Sequence, residues 1–262
     1  MAIKFLTNEA AALLPGRLLV IADLHIGAEH EFRQAGIKIP SQTKKLLEKA
    51  LQLVKQTKAK KLIILGDIKH KVPGLTFQEE REVPAFLNTL NRDHNIDVEI
   101  VPGNHDDGLQ RLAPGLTIHP STGLLVGDAY LTHGHTWPSP DFLEASHILS
   151  GHRHPVIELR DRLGYVWRER VWIRTSLNRE EISKKYNTKS TKPIKPKSKL
   201  PEIVMMPAFN DMVGGTALNR KKRTLKFKRK TQPLGPLLKA AKVRTSKVYM
   251  LDGTYLGELG KL

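Results

Sequence analysis

Short aliphatic runs that break off into a turn and then a carboxylate, amide or imidazole recur along this chain, and they leave few folds open. Val98-Glu99-Ile100-Val101 is β-branched and apolar, and Pro102-Gly103 ends it. Asn104, His105 and Asp106 therefore emerge at the carboxyl end of a buried strand. Arg17–Ala22 and Lys61–Leu65 read the same way and deliver Asp23-Leu24-His25 and Gly66-Asp67-Ile68-Lys69-His70. Between those two runs, Ser41–Lys58 is an amphipathic helix with Leu46, Leu47, Ala50, Leu51 and Val54 on one face, and Ser41 is suited to cap it. Strand, helix, strand implies a right-handed crossover and a parallel sheet. Open α/β sheets hold their ligands outside the carboxyl ends of such strands. Thr76-Phe77-Gln78-Glu79 matches a capping box and opens a second helix to about Arg92, with Pro84 predicted to kink it or delay its start.

From Leu116 the pattern changes. Leu116–His119, Gly123–Val126 and Ala129–Thr132 are expected as short antiparallel strands, the third leading into His133-Gly134-His135. Ser139-Pro140 starts a short helix. His147–Ser150 is a further strand, running into Gly151-His152-Arg153-His154. Val156–Ile173 is expected as edge strands or a hairpin, with Trp167 and Trp172 in the core or on the sheet surface. Residues 178–201, rich in Lys, Ser, Thr and Pro, are expected as a mobile insertion. Strands follow at Glu202–Met206 and Lys247–Leu251, with a short helix between them at Leu234–Ala241.

The 262 residues suffice for one large domain, which is the expectation here. The chain has no cysteine, which rules out disulfides and thiolate metal sites. It shows no apolar run of membrane-spanning length and no signal peptide, so a cytoplasmic protein is expected, with no membrane partner. The net charge of +17 is uneven: Arg179–Lys247 holds 20 Lys and Arg against 4 Asp and Glu, and the remainder is close to neutral. That imbalance points to a polyanionic partner. Its densest stretch offers Arg220, Lys221, Lys222, Arg223, Lys226, Lys228, Arg229 and Lys230 to a nucleic-acid backbone. Leu225 and Phe227 alternate with Lys226 and Lys228 there, as on a strand with one basic face.

Five strand ends carry candidate metal ligands: Asp23 with His25, Asp67, Asn104, His133, and His152 with His154. Residues two apart on extended backbone point the same way, so Asp23 and His25 can reach one ion. Oxygen and imidazole donors suit manganese first, with iron, zinc or magnesium as alternatives. The seven residues are too many for one tetrahedral ion and enough for two bridged by Asp67. Two ions about 3.5–4 Å apart can clamp a phosphate, activate a hydroxide and stabilise a leaving oxygen. His105 is placed to give a proton to that oxygen, and Asp106 to orient His105.

These motifs, in this order, resemble those of the calcineurin-like metallophosphoesterases. The residues that carry the resemblance are Asp23-Leu24-His25, Gly66-Asp67, Gly103-Asn104-His105-Asp106, His133-Gly134-His135 and Gly151-His152-Arg153-His154. Asp23–Gly27, Gly66–His70, Pro207-Ala208-Phe209-Asn210 and Gly214-Gly215 look closest to archaeal SbcD-related phosphoesterases and bacterial ligase- or helicase-associated ones. The resemblance implies a four-layer α/β/β/α sandwich with mixed sheets. It implies one ion held by Asp23, His25, Asp67 and His154, and a second by Asp67, Asn104, His133 and His152. His105 would be the acid or transition-state stabiliser, His70 would orient phosphate, and His135 would line the site. Unlike the SbcD-type nucleases, the chain shows no capping domain after the catalytic fold, which speaks against processive degradation of duplex ends. The function expected is a two-metal phosphodiesterase acting on nucleic acid or nucleotide diesters, in repair or processing, with a helicase or DNA ligase as a partner. The alternatives are a phosphatase, a cyclic-nucleotide phosphodiesterase, or a non-catalytic metal-bound scaffold.

Overall fold

The computed structural model describes residues 3–187, 199–215, 217–220 and 235–262. Two mixed sheets lie face to face between outer layers of helix. The first sheet begins with β1 (Lys4–Phe5), β2 (Ala11–Leu14) and β3 (Leu18–Ala22). After α1 (Glu29–Gln34) and α2 (Thr43–Thr57) come β4 (Lys61–Leu65), α3 (Phe77–Asn88) and β5 (Asp97–Val101). α4 (Leu109–Leu112) leads to β6 (Thr117–Ile118). The order across this sheet is β1-β2-β3-β4-β5-β6, parallel from β3 onward. Thr117–Ile118 thus extends the parallel sheet, where three antiparallel strands were expected. The short run is paired through Glu99 and Ile100, and a sequence pattern of two residues cannot reveal that choice of neighbour.

The second sheet takes β7 (Leu124–Val126), β8 (Ala129–Thr132), β9 (His147–Ser150), β10 (Val156–Arg160) and β11 (Val166–Ser176). After α5 (Arg179–Asn187) come β12 (Glu202–Met205), α6 (Pro236–Lys239), β13 (Lys247–Met250) and β14 (Tyr255–Glu258). Its order is β14-β13-β11-β12-β9-β8-β7, with β10 paired to β11 as a hairpin. β11 is therefore an interior strand along its second half, flanked by β12 and β13. Residues 179–187 form a helix where a mobile insertion was expected, because Ile182 and Tyr186 pack into the outer core beside Trp137 and Phe142. The rest of that expected insertion, 188–198, lies outside the described residues, as do Lys221–Lys230 and the strand expected there. Of the expected helix 234–241, whose first residue lies outside the described ones, Pro236–Lys239 is helical among the described residues.

Burial follows strand alternation. On β3, Leu19 and Ile21 face the helices while Leu18, Val20 and Ala22 face the other sheet. α2 covers the first face with Leu46, Ala50, Leu53 and Val54 buried, and Leu47 and Leu51 at the margin. α3 adds Val83, Phe86 and Leu87. It starts at Phe77 with the expected capping box and runs through Pro84 without delay; a π-helical turn at Thr89–Asp93 follows. The Ser139-Pro140 helix is a 3-10 turn over Pro140–Glu144. Trp172 is buried between the sheets, and Trp167 lies half-buried on the sheet surface. No helix of the described residues is long and apolar enough to cross a membrane.

The register puts chemistry at one edge. Ala22, Leu65 and Val101 are aligned partners, and each is a last strand residue. Thr132, Ser150 and Met205 are aligned likewise in the second sheet. Everything that follows those residues in sequence therefore leaves the sandwich at the same rim.

Glu82 ties α2 to α3. Its carboxylate accepts from the Ser41 and Thr43 hydroxyls, both at 2.6 Å, from Gln78 at 3.0 Å and from Arg81 at 2.9 Å. Burial opposes its charge, but those hydrogen bonds prevail and hold the pKa near 2 against an ordinary 4.5. A lowered folded-state pKa stabilises fully above the unfolded value and is lost as pH falls through the folded one. Glu82→Gln is expected to lower the urea midpoint near neutral pH, and the gap to the native chain is expected to close between about pH 4.5 and 2. A gap that stays constant across that window would show that the carboxylate charge is not what holds the two helices.

Candidate metal centre

The parallel pairing of β3 and β4 continues past the strands. Asp23 N–H donates to Gly66 O, His25 N–H to Asp67 O and Ile26 N–H to Ile68 O, at 3.1, 2.7 and 2.8 Å. His70 N–H closes the ladder on Ile26 O at 3.1 Å. Held this way, Asp23, His25 and Asp67 take left-handed φ values of 59°, 43° and 51°, and His152 and His154 take 72° and 41°. Non-glycine residues rarely adopt this region, and it is concentrated at functional sites. Asp23 and His25 thus converge, though not on the extended backbone that the sequence suggested. Gly103 keeps the crossing possible, since a Cβ there would collide with the Asp67 carboxylate.

Asp23, His25, Asp67 and His154 present ligand atoms all within 4.8 Å of one another, and so do Asp67, His133 and His152. Asn104 joins the second group, its Oδ1 lying 3.4 Å from His133 Nε2. His133 Nδ1–H donates to Leu65 O at 2.8 Å and His154 Nδ1–H to Gly214 O at 3.4 Å. In both rings Nε2 is thereby left to face the carboxylates, His133 toward Asp67 at 3.4 Å and His154 toward Asp23 at 3.3 Å. Asp23 also accepts from His152 N–H at 3.0 Å. All seven residues expected as ligands therefore meet at one place.

The electrostatics show what this place lacks. Asp23 and Asp67 are 0% and 2% exposed, and among the described residues their ionisable partners within 4 Å are imidazoles. Burial opposes the charge of Asp67, but His133, His25 and His105 hold its carboxyl well below the usual range. Burial also opposes charge on His133, yet Asp67 and Asp23 raise its pKa to about 9, and Asp23 raises His154 in the same way. His25 and His152 go the other way. Burial lowers both, His152 to about 3, and leaves neutral rings with lone pairs to give. Two buried carboxylates ringed by imidazoles, with His25 and His152 holding free lone pairs, form a site suited to divalent cations.

His105 and His70 stand over this floor. His105 Nδ1–H donates to His70 O at 2.5 Å, so its Nε2 faces the cleft, 3.9 Å from Asp67. His70 Nδ1 lies 3.3 Å from His25 Nδ1, and its Nε2 lies 3.0 Å from the Glu31 carboxylate. Asp106 does not orient the His105 ring as expected. Its buried carboxylate accepts from the main chain of Ile68 and Gly103, each at 2.8 Å, and so fastens one loop to the other. Burial, followed by the Asp67 charge, raises its pKa. His135 lines the cleft, and burial followed by His133 lowers its pKa to about 4. The cleft itself measures about 770 Å³ and also borders Phe32, Arg153, Met212 and Lys239. Of the basic run, Arg220 alone falls within the described residues, and it is exposed.

Sequence reading missed the residues that hold the loops. Lys69 is 0% exposed, and its ammonium donates to Lys71 O at 2.6 Å, Gly74 O at 2.9 Å and the Asp107 carboxylate at 2.5 Å. Glu79, found only as half of a capping box, also accepts from His70 N–H at 2.8 Å and Lys71 N–H at 2.5 Å. Asn210 reaches Leu24 O at 2.8 Å from the Pro207-Ala208-Phe209-Asn210 turn.

Comparison with known proteins bears on this geometry. No curated protein matches the sequence. Among solved structures, the Pseudomonas putida nuclease MPE is similar over 93% of this chain and 90% of its own, with 20% identity and a TM-score of 0.54. The E. coli phosphoesterase YfcE is similar over 55% of this chain and 73% of its own, with 20% identity and a TM-score of 0.35. The first likeness supports the fold: two mixed sheets with flanking helices. The family model for calcineurin-like phosphoesterase matches residues 16–187, the span that carries every strand end described above through His154. The chain belongs to the calcineurin-like phosphoesterases, enzymes that depend on divalent metal ions.

Proposed function

We propose that this chain is a two-metal phosphodiesterase acting on nucleic-acid backbone. The observation that carries the reading is the pair of donor sets that share Asp67 at the floor of one cleft. Asp23, His25, Asp67 and His154 would hold one ion, and Asp67, Asn104, His133 and His152 the other. When bound, divalent ions supply Lewis-acid polarisation of phosphoryl oxygens and lower the pKa of a nucleophilic water. The donor chemistry, oxygen and imidazole without thiolate, leads us to name manganese. The chain's own residues do the rest. The surrounding imidazoles favour the charged form of Asp67, and the Nδ1–H bonds of His133 and His154 keep both rings aimed at the floor. His105, fixed through Nδ1, presents Nε2 to a leaving oxygen and gives it a proton. His70, steadied by Glu31, orients a phosphate oxygen beside it.

A nucleic-acid substrate is supported by charge and by where the chain enters and leaves its basic segment. A side chain on Gly215 would collide with His154 O and one on Gly235 with Gly134 O, so both glycines lie close against the ligand loops. Between the described ends, residues 221–234 carry seven Lys and Arg and no acid. The likeness to a nuclease adds to this reading, and processing or repair of DNA is the setting we infer.

The test is a screen of manganese, magnesium, zinc and iron against a chromogenic phosphodiester and a chromogenic phosphomonoester. Hydrolysis of the diester is expected to dominate; hydrolysis of the monoester alone would make the protein a phosphatase. Asp67→Asn is expected to lose at least one ion per chain by elemental analysis, together with most activity. Two ions in an active Asp67→Asn protein would mean that the donor sets do not share it. His105→Ala is expected to retain its ions and slow turnover roughly a hundredfold or more, the usual loss for an acid–base group. Turnover at the native rate would remove His105 from the chemistry.

A further inference from the structure

We infer that the β10–β11 hairpin is a platform for single-stranded nucleic acid, which it feeds toward the cleft; this rests on the phosphodiesterase reading above. The hairpin starts two residues after His154 and is paired from Val156 with Arg170 to Arg160 with Val166. Four steps of about 3.3 Å each place Arg160, where the turn begins, roughly 13 Å beyond Val156. The turn is built rather than slack. The Asp161 carboxylate accepts from Leu163 N–H at 2.9 Å and Tyr165 N–H at 2.8 Å, and Gly164 N–H returns to Asp161 O at 3.1 Å. Yet it carries apolar groups in water: Leu163 is 95% and Tyr165 68% exposed. The Tyr165 ring is stacked on Trp167, centroids 6.1 Å apart and planes 22° apart.

Strand alternation puts Tyr165, Trp167 and Leu159 on one face. Nearer the base, that same face carries the half-buried Glu169, paired with Ile157, and then Ile157 and Val171, which are buried with Leu237 and Leu238 of α6. α6 also carries Lys239 on the border of the cleft, so the aromatic pair and the cleft rim share one side of the sheet. Arg162, in the turn beside the pair, has no carboxylate within 4 Å among the described residues. Arg160, Arg168 and Arg170 lie on the opposite face, where Arg160 donates to Gly164 O at 3.3 Å and Arg168 and Arg170 are matched by Glu158 and Asp211. Arg220 is exposed at the end of a strap fastened along β10, where Ala217 bridges Val156 and the Asn219 amide bonds both Glu158 N–H and O at 2.9 Å. Exposed π faces beside the guanidinium group of Arg162 are the chemistry that binds unpaired bases and their phosphates. Paired bases offer no face to such a stack, so the partner is a single strand.

The test measures fluorescence anisotropy of a labelled oligothymidylate, and of a duplex of equal length, in chelator so that neither is cut. Tyr165→Ala with Trp167→Ala is expected to weaken single-strand binding about tenfold or more, and duplex binding less. Trp167→Phe is expected to restore most of the affinity, which a folding defect would not allow. Arg162→Gln is expected to flatten the dependence of log K on log salt by about 0.7 for the phosphate no longer neutralised. With manganese present, the ratio of kcat/KM for the oligonucleotide to that for the small diester is expected to fall with the double aromatic variant. Unchanged single-strand affinity, or an equal loss for duplex, overturns the platform. So does a native dimer that the aromatic variant makes monomeric, since the face would then belong to a second copy. A native protein that cleaves the small diester but does not bind the oligonucleotide overturns the platform alone, and one that cleaves no diester with any ion overturns the reading beneath it.

Discussion

Pairing between β3 and β4 that outlasts the strands is the constraint on which the remaining site geometry depends. Four main-chain hydrogen bonds carry it from Asp23 to His70. They hold the first two ligand loops side by side, where unpaired loops would splay. Asp106 then spans from the third loop to the second, through Ile68 and Gly103, and Asp23 reaches across to His152 from the opposing sheet. Each loop is thus fastened to a neighbour by the same groups that would otherwise be buried without partners.

The cost is visible in the backbone. Five candidate ligands sit at positive φ. Left-handed backbone costs an L-residue about 1 kcal/mol or more, so five such residues set ~5 kcal/mol against a net stability of about 5–15 kcal/mol for a whole domain. The inter-sheet core, with Val20, Ile63, Leu149 and Val204 fully buried, offsets that strain.

The strands and the ligand set were legible because they obey local rules. Lys61–Leu65 reads as a strand from five residues and is one; Asp67 follows because a glycine turn must present something at a strand end. What was illegible depends on partners distant in sequence. Residues 117–118 could not announce β5 as their neighbour. Residues 179–187 read as solvated by composition, and only Ile182 and Tyr186 finding a core made them a helix. The role of Asp106 was misread for a similar reason: adjacency in sequence suggested His105, while the fold offered main-chain donors 38 residues away. Lys69 carried no signal, since a lysine after a glycine turn reads as surface.

Glu79 joins two things that are ordinarily separate. One carboxylate receives the amides of His70, Lys71 and Thr76, and its own residue begins the fold of α3. The helix end and the loop bearing His70 therefore open together or not at all, as one unit of local unfolding. Those three amides will share a single hydrogen-exchange free energy although a loop and a helix cap contain them. A change at Thr76, nine residues past Asp67 and outside the cleft lining, will be felt first as disorder in the histidine above the cleft.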